Sequence, residues 1–311
     1  MSQRRILRGL LWAMCQSRTF YVLGAGASYG LIPVTQEMRR LIEGDYHSVG
    51  VYQTDPAPHS QLFERLFGTI PRHERDIRKI LLTHIPPGAL DLLAQRALWR
   101  PSDGTVPPQY AVFDVVGFPA TLCNFNLDGL ASDYCGHRHH VLEMHGRIDS
   151  LRFERMNYDE LLEATVVYGI RLPHLTPKLM PQVEPEAITL QPTYAYARRL
   201  FRYAPAVIIL GYSFGQRNDG FDDKHSFEYI ASLLRVSPRP VFVVSPTPHD
   251  LAGLLRDALS WRYVFGLPLR WELFSGAVLA NVDPIQGMGT KWLHTNLDRV
   301  VRSYQTALDA S

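Results

Sequence analysis

Two runs of the chain, Val207-Ile208-Ile209-Leu210 and Val241-Phe242-Val243-Val244, are apolar at every position, and helix-like segments flank them. A strand with one wet face alternates apolar and polar residues. A strand with no alternation must be buried on both faces, the habit of parallel sheets covered by helices. Further strands are predicted at 19–23, 119–124, 140–144 and 269–274, with these two extending over 206–210 and 239–244. Helical periodicity predicts helices at 194–203, 226–234, 249–258 and 293–308. Strands alternating with helices along the chain predict an α/β fold with a doubly wound, parallel, Rossmann-like sheet.

The pattern breaks at about 36–110, where helical segments are punctuated by Pro71, Pro86-Pro87 and Pro101. This stretch is expected to be a helical insertion after the first strand. A proline-rich stretch at 172–192 is expected to be a surface loop. Ahead of the first strand, Arg4, Arg5 and Arg8 precede a short apolar run. That run is too short for a signal peptide and lacks a small-residue cleavage site, so residues 1–17 are expected to form an amphipathic helix. Residues 18–311 then form one domain carrying the insertion.

The chain's 311 residues hold a formal net charge of +2, which predicts no strong direct pull toward nucleic acid or membrane. The cysteines, Cys15, Cys123 and Cys135, are odd in number and form no CxxC pair. They predict neither a disulfide framework nor a four-cysteine zinc site, and a cytoplasmic setting fits them.

Chemistry is expected where strands end in small or polar residues. Gly24-Ala25-Gly26-Ala27-Ser28 follows the first strand, and such a turn lets backbone approach a pyrophosphate. The third glycine of a full dinucleotide fingerprint is replaced by Tyr29, so a plain tight turn is the competing reading. Pro33 and Thr35 would open the following helix, Thr35 as its cap. Asn126 and Asp128 follow the second strand, where an amide can position a hydroxyl or water; Asp128 capping its own turn is the alternative. His145 follows the third strand and suits a general base, although a His before a Gly is also a common structural choice. Gly211-Tyr212-Ser213-Phe214-Gly215 follows the most apolar strand. Its letters also fit the G-x-S-x-G of a hydrolase nucleophile, with His225 and His249 downstream. His137, His139 and His140 lie close together but without the acidic or cysteine ligands that would complete a metal set.

In this order, the segments resemble a sirtuin-type NAD-binding domain. Gly24–Ser28 is similar to the family's GAGxS loop, Asn124-Phe125-Asn126-Leu127-Asp128 to its QNID segment, and His145-Gly146 to its HG motif. Gly211-Tyr212-Ser213 is similar to the cofactor-contacting G-[TY]-S turn, and Ser245 ends the strand that lies near adenosine. The resemblance implies cofactor contacts from Gly24, Ala25, Gly26, Ser28, Pro33, Thr35, Asn126, Asp128, Gly211, Tyr212, Ser213 and Ser245. It also implies catalytic roles for Asn126, Asp128 and His145.

The four-cysteine zinc module of protein-deacylating sirtuins is missing between His145 and Gly211. The resemblance is therefore to the divergent bacterial members that hydrolyse NAD in anti-phage defence. It implies NAD as substrate, no metal, a homo-oligomer, and an operon-encoded partner such as a DNA-translocating ATPase or an Argonaute. The N-terminal segment and the inserted helices are where such a partner would be expected to bind. A non-catalytic binder of NAD or ADP-ribose derivatives and a zinc-free protein deacylase are the alternatives.

Overall fold

A computed structural model describes residues 2–31, 105–126, 129–144, 192–214, 216–217, 220–221, 223–261, 263–283 and 285–311. The expected insertion at about 36–110, apart from its last residues, and the loop at 172–192 lie outside the described residues, as do Pro33, Thr35, Asp128, His145 and Gly146.

The chain enters through α1 (Gln3–Cys15) and the first strand β1 (Phe20–Leu23). A short helix α2 (Pro108–Ala111) precedes β2 (Thr121–Asn124), α3 (Leu130–Cys135) and β3 (His140–Glu143). Then come α4 (Pro192–Phe201), β4 (Val207–Leu210), and a two-stranded ribbon of β5 (Gln216–Arg217) and β6 (Gly220–Phe221). The rest is α5 (Lys224–Val236), β7 (Val241–Ser245), α6 (His249–Leu259), β8 (Val264–Pro268), α7 (Trp271–Leu279) and α8 (Thr290–Asp309). Six strands form one parallel sheet in the order β3-β2-β1-β4-β7-β8. Strand order reverses between β1 and β4, which makes that junction the topological switch point of a doubly wound sheet.

Alternation of side chains along each strand divides the core in two. Tyr21, Leu23, Leu122, Ile208, Leu210, Phe242 and Val244 face a layer built from α1, α2, α3, α7 and α8. Phe20, Val22, Cys123, Val207, Ile209, Val241 and Val243 face the layer of α4, α5 and α6. Both faces are covered, so the apolar runs show no alternation. Burying one such Ile or Leu side chain contributes roughly 1.5–3 kcal/mol.

One expectation is corrected. Residues 269–274 are not a strand. The last strand is Val264–Pro268, and Trp271–Leu279 is helical. Gly266 and Pro268 disguised the strand, yet both fit an edge: Pro268 is its final residue, and Gly266 lies where a Cβ would press on Pro248 and His249. The expected N-terminal helix is present as α1, and its apolar residues Leu10, Leu11, Ala13 and Met14 are buried in the chain's own core. Arg4 pairs with Asp298 at 2.6 Å and Arg8 bonds His294 at 2.8 Å, fastening α1 along α8.

Among the described residues no helix is long and apolar enough to cross a membrane. All three cysteines are unpaired thiols.

Candidate functional site

Leu23, Asn124, Glu143, Leu210 and Val244 are in register across five neighbouring strands, so the segments leaving these strands start from one level. Gly24 and Gly211 both follow at the switch point. Gly26 N–H donates to the Gly211 carbonyl at 2.9 Å, and Gly24 N–H to Leu210 at 2.9 Å. A Cβ on Gly24 would collide with the Cβ of Tyr212, and one on Gly26 would lie 2.7 Å from Gly211 Cα. Gly211 itself has φ +55°, a left-handed conformation that favours glycine. The glycines are therefore required by the contact between two turns, whatever else they serve.

The turn after β1 does not open directly into an α-helix whose free N–H groups could hold phosphate. It runs instead into a single turn of 3₁₀ helix, Ala25–Ser28. Gly24, Gly26 and Ala27 donate internally, the last to Gly24 O at 2.8 Å. Ala25 N–H has no acceptor among the described residues, so it is the amide of this turn that a ligand oxygen can take.

Asn126 is 8% exposed and braces the same turn. Its Nδ2 donates to Gly24 O at 3.0 Å and to Ser28 Oγ at 3.2 Å. Ser28, fully buried, also shares a 2.7 Å bond with the Tyr110 hydroxyl. Asn126 is held in turn from below: its backbone N–H donates to Asn124 Oδ1 at 3.2 Å, and Asn124 Nδ2 donates to Glu143 Oε2 at 2.7 Å. The other oxygen of Glu143 accepts from Ser132. A connected polar network thus runs from β3 through β2 to the β1 turn, inside the core where unsatisfied groups cost most.

Tyr212 closes the other side. Its ring stacks on Phe125 at 4.8 Å, and its hydroxyl donates to Asp223. Asp223 also caps α5 through Ser226 N–H at 3.2 Å. Ser213 is exposed beside it, and Ser245 is half-buried at the end of the neighbouring strand. Ser213 does not occupy a nucleophile elbow. The positive φ angles fall on Gly211 and Phe214, and β4 leads into the small ribbon rather than directly into a helix.

No protein-family model matches this chain, and no curated protein is significantly similar to it. Geometry alone groups the candidates. Gly24, Ala25, Gly26, Ser28, Asn126, Gly211, Tyr212 and Ser213 come together at the switch point; Ser245 lies one strand farther out. Asp128 and His145 lie outside the described residues, two positions after Asn126 and one after Met144.

Several residues at the site stand outside the sequence motifs. Tyr110 and Gln109 belong to none, yet Tyr110 holds Ser28 and Gln109 Nε2 donates to Tyr29 O at 3.0 Å. Asn124 opens the Asn124–Asp128 segment and Glu143 lies two positions before His145; each is a buried polar residue ending its strand, and the two are paired in register. His139 is the opposite case, a candidate by sequence that the fold uses elsewhere. Ala120 N–H donates to its Nδ1 at 3.0 Å, and its Nε2 bonds Phe113 O at 2.8 Å. Both ring nitrogens serve the backbone, which leaves neither for a metal. Burial holds its pKa below the ordinary value.

Proposed function

We propose that the chain is an NAD⁺ glycohydrolase that releases nicotinamide and ADP-ribose. The observation carrying this reading is the pair of Cβ-free turns, Gly24–Gly26 and Gly211, locked together at the switch point of a doubly wound sheet. Ligands of such sheets lie in that crevice, outside the carboxyl ends of the strands. The order of the motifs around it, similar to that of sirtuins, supports NAD among the dinucleotides.

In the proposed reaction the ribose C1′–nitrogen bond breaks and its electron pair leaves with neutral nicotinamide. Water then adds at C1′ and gives up a proton to a base. The leaving group is a cationic pyridinium before cleavage, so it needs no metal to accept the electrons. His145 is proposed as the base, and Asp128 as the acceptor that orients the carboxamide. Asn126 takes a modified part: its amide nitrogen already holds Gly24 and Ser28, so it shapes the pocket wall and offers only its oxygen to water or ribose.

That same observation favours a second reading, a binder of NAD or ADP-ribose derivatives without turnover, since a braced Asn126 serves binding alone. An NAD-depleting role in cytoplasmic anti-phage defence, with a homo-oligomer or operon-encoded partner as activator, belongs to the first reading.

Chromatography of NAD⁺ incubated with wild type and His145→Ala tests the proposal. Equimolar nicotinamide and ADP-ribose from wild type only, with both proteins melting alike, is the expected result. NAD⁺ binding that still gives no product when the activating partner is supplied would establish the binder, and failure to bind NAD⁺ at all would sink both readings.

A further inference from the structure

In a parallel sheet every strand begins at the same edge, so six loops line the side opposite the candidate nucleotide crevice. Taken in spatial order, they interleave cationic and aromatic side chains. The loop before β3 carries Arg138, that before β2 carries Phe118, and that before β1 carries Arg18. The loop before β4 carries Arg202 and Tyr203, that before β7 carries Arg239, and that before β8 carries Trp261 and Tyr263. Arg138 sits over the Phe118 ring at 5.7 Å, and Arg18 over the Tyr203 ring at 5.4 Å. Neighbouring strands are about 4.8 Å apart, so this ribbon of interleaved cations and rings is about 24 Å long.

Helix C-termini at this edge account for some of the positive charge. Arg239 shows this use: its guanidinium bonds the Arg202, Ala204 and Pro238 carbonyls. They do not account for the rings. Phe118 is 56% exposed and Tyr203 65% exposed, with Arg138 over the first ring and Arg18 over the second and the His139 ring 5.9 Å from Phe118. The same C-termini disfavour carboxylates, and residues 16–19, 117–120, 136–140, 202–206, 237–240 and 260–263 contain no Asp or Glu. Among the described residues, carboxylates flank this edge at Asp114, 3.9 Å from Arg138, and at Asp257 in the last turn of α6. Arg18 and Arg202 pair with no carboxylate among the described residues, and Arg198 and Arg199 in the last turn of α4 add to the same side.

We infer that the N-terminal edge of the sheet binds single-stranded nucleic acid, with phosphates on Arg18, Arg138 and Arg202 and bases stacked on Phe118 and Tyr203. A flexible polyanion whose units each carry a π-face matches both halves of the ribbon, whereas an acidic protein segment would match only the charges. The chain-wide charge of +2 conceals this edge because it averages over both ends of the sheet. Binding here does not depend on what the opposite crevice holds.

Fluorescence anisotropy of short labelled oligothymidylate and oligouridylate with the full chain, as a function of salt, tests it. Wild type is expected to bind both in low salt and to lose affinity steeply as salt rises. Phe118→Ala and Tyr203→Ala should each weaken binding about tenfold. Arg18→Glu and Arg138→Glu should weaken it further and flatten the log–log salt slope by about 0.7 for each phosphate no longer neutralised. These side chains are at the surface, and unchanged melting temperatures would confirm that the variants fold. Three outcomes overturn the inference. One is no binding at low salt. Another is binding that polyglutamate competes away as well as an oligonucleotide does, with the ring variants unaffected, which indicates an acidic protein partner. The last is a change of oligomeric state on Arg18→Glu with oligonucleotide binding intact, which indicates an interface between copies.

Discussion

Gly26 and Gly211 approach so closely that a Cβ on either would run into the Cα of the other, while Gly26 N–H donates to Gly211 O at 2.9 Å. The contact joins the turns leaving β1 and β4. Gly211→Ala must also hold an alanine at φ +55°, which alone costs roughly 1–2 kcal/mol. It is expected to lower the melting temperature and to abolish nucleotide binding. Gly253→Ala and Gly276→Ala provide the opposite case. Both glycines lie inside helices with open space where a Cβ would go, so each change should stabilise by about 0.5–1 kcal/mol. Melting curves of the three variants check this; equal effects at all three positions would mean that the two turns do not touch.

Asn126 and His145 should separate stability from turnover. Asn126→Ala removes the donor to Gly24 O and Ser28 Oγ in a buried place. Gly24 O keeps Ala27 N–H and Ser28 Oγ keeps the Tyr110 hydroxyl, so the cost is that of the two lost bonds, together about 1–3 kcal/mol. Its melting temperature and its affinity for NAD⁺ should fall together. His145→Ala is expected to lose turnover with little change in melting. If Asn126→Ala melts like wild type, the amide bonds are not holding the turn.

Glu143 extends the same network one layer deeper. Glu143→Gln keeps its size but turns one of the two acceptor oxygens, which take Asn124 Nδ2 and Ser132 Oγ, into a donor. The amide can keep both contacts only with its oxygen on Asn124 and its nitrogen donating to Ser132 Oγ, whose own donation to this site is then lost, so the buried network must be rebuilt at a cost in stability. The variant should melt lower, and NAD⁺ affinity should weaken through Asn124 and Asn126 even though Glu143 touches neither turn. Calorimetric titration of the variant with NAD⁺ gives the answer: unchanged affinity would confine Glu143 to a role in folding.

The sheet was legible because its strands are buried twice over, and doubly buried strands announce themselves as unbroken apolar runs. The edge strand 264–268 was not, since Gly266 and Pro268 are unfavourable in central strands but acceptable at an edge. Leu269 and Phe274, apolar like a strand, belong instead to the approach and interior of a helix. At the site, the turns were legible as glycine clusters after strands. Their mutual contact was not, because nothing local in Gly24–Ser28 or Gly211–Ser213 encodes strand order. Tyr110 was invisible for a similar reason: it reaches Ser28 across 82 positions of chain. Asn126 was legible as a polar residue past a strand, but the direction of its amide depends on what lies opposite.

His139 predicts a pH dependence. Burial lowers its pKa below the ordinary 6.5, while the Phe113 carbonyl opposes that shift only in part. The unfolded chain therefore takes up a proton at higher pH than the folded one. Its contribution to stability is complete above 6.5 and is lost as pH falls from there through the folded-state value. Melting temperature should drop between about pH 8 and about pH 5 by more in wild type than in His139→Gln. Equal pH dependence in the two would show that other groups account for the drop.

The three thiols should be inert in the native protein. Burial pushes the Cys15 thiol up to about 12 and raises Cys123 and Cys135 as well. The thiolate is the reactive form, and each side chain sits in or against apolar core. A water-soluble aromatic disulfide reagent near pH 8 should therefore react slowly with the folded chain, and rapidly with all three thiols once denaturant unfolds it. Reaction should follow the opening of the structure rather than the reagent concentration, because Cys123 lies within β2 and is reached only when the sheet parts. Cys15, half-buried at the end of α1, should be the first to react; prompt labelling of Cys123 in the native state would place β2 at a surface rather than inside the sheet.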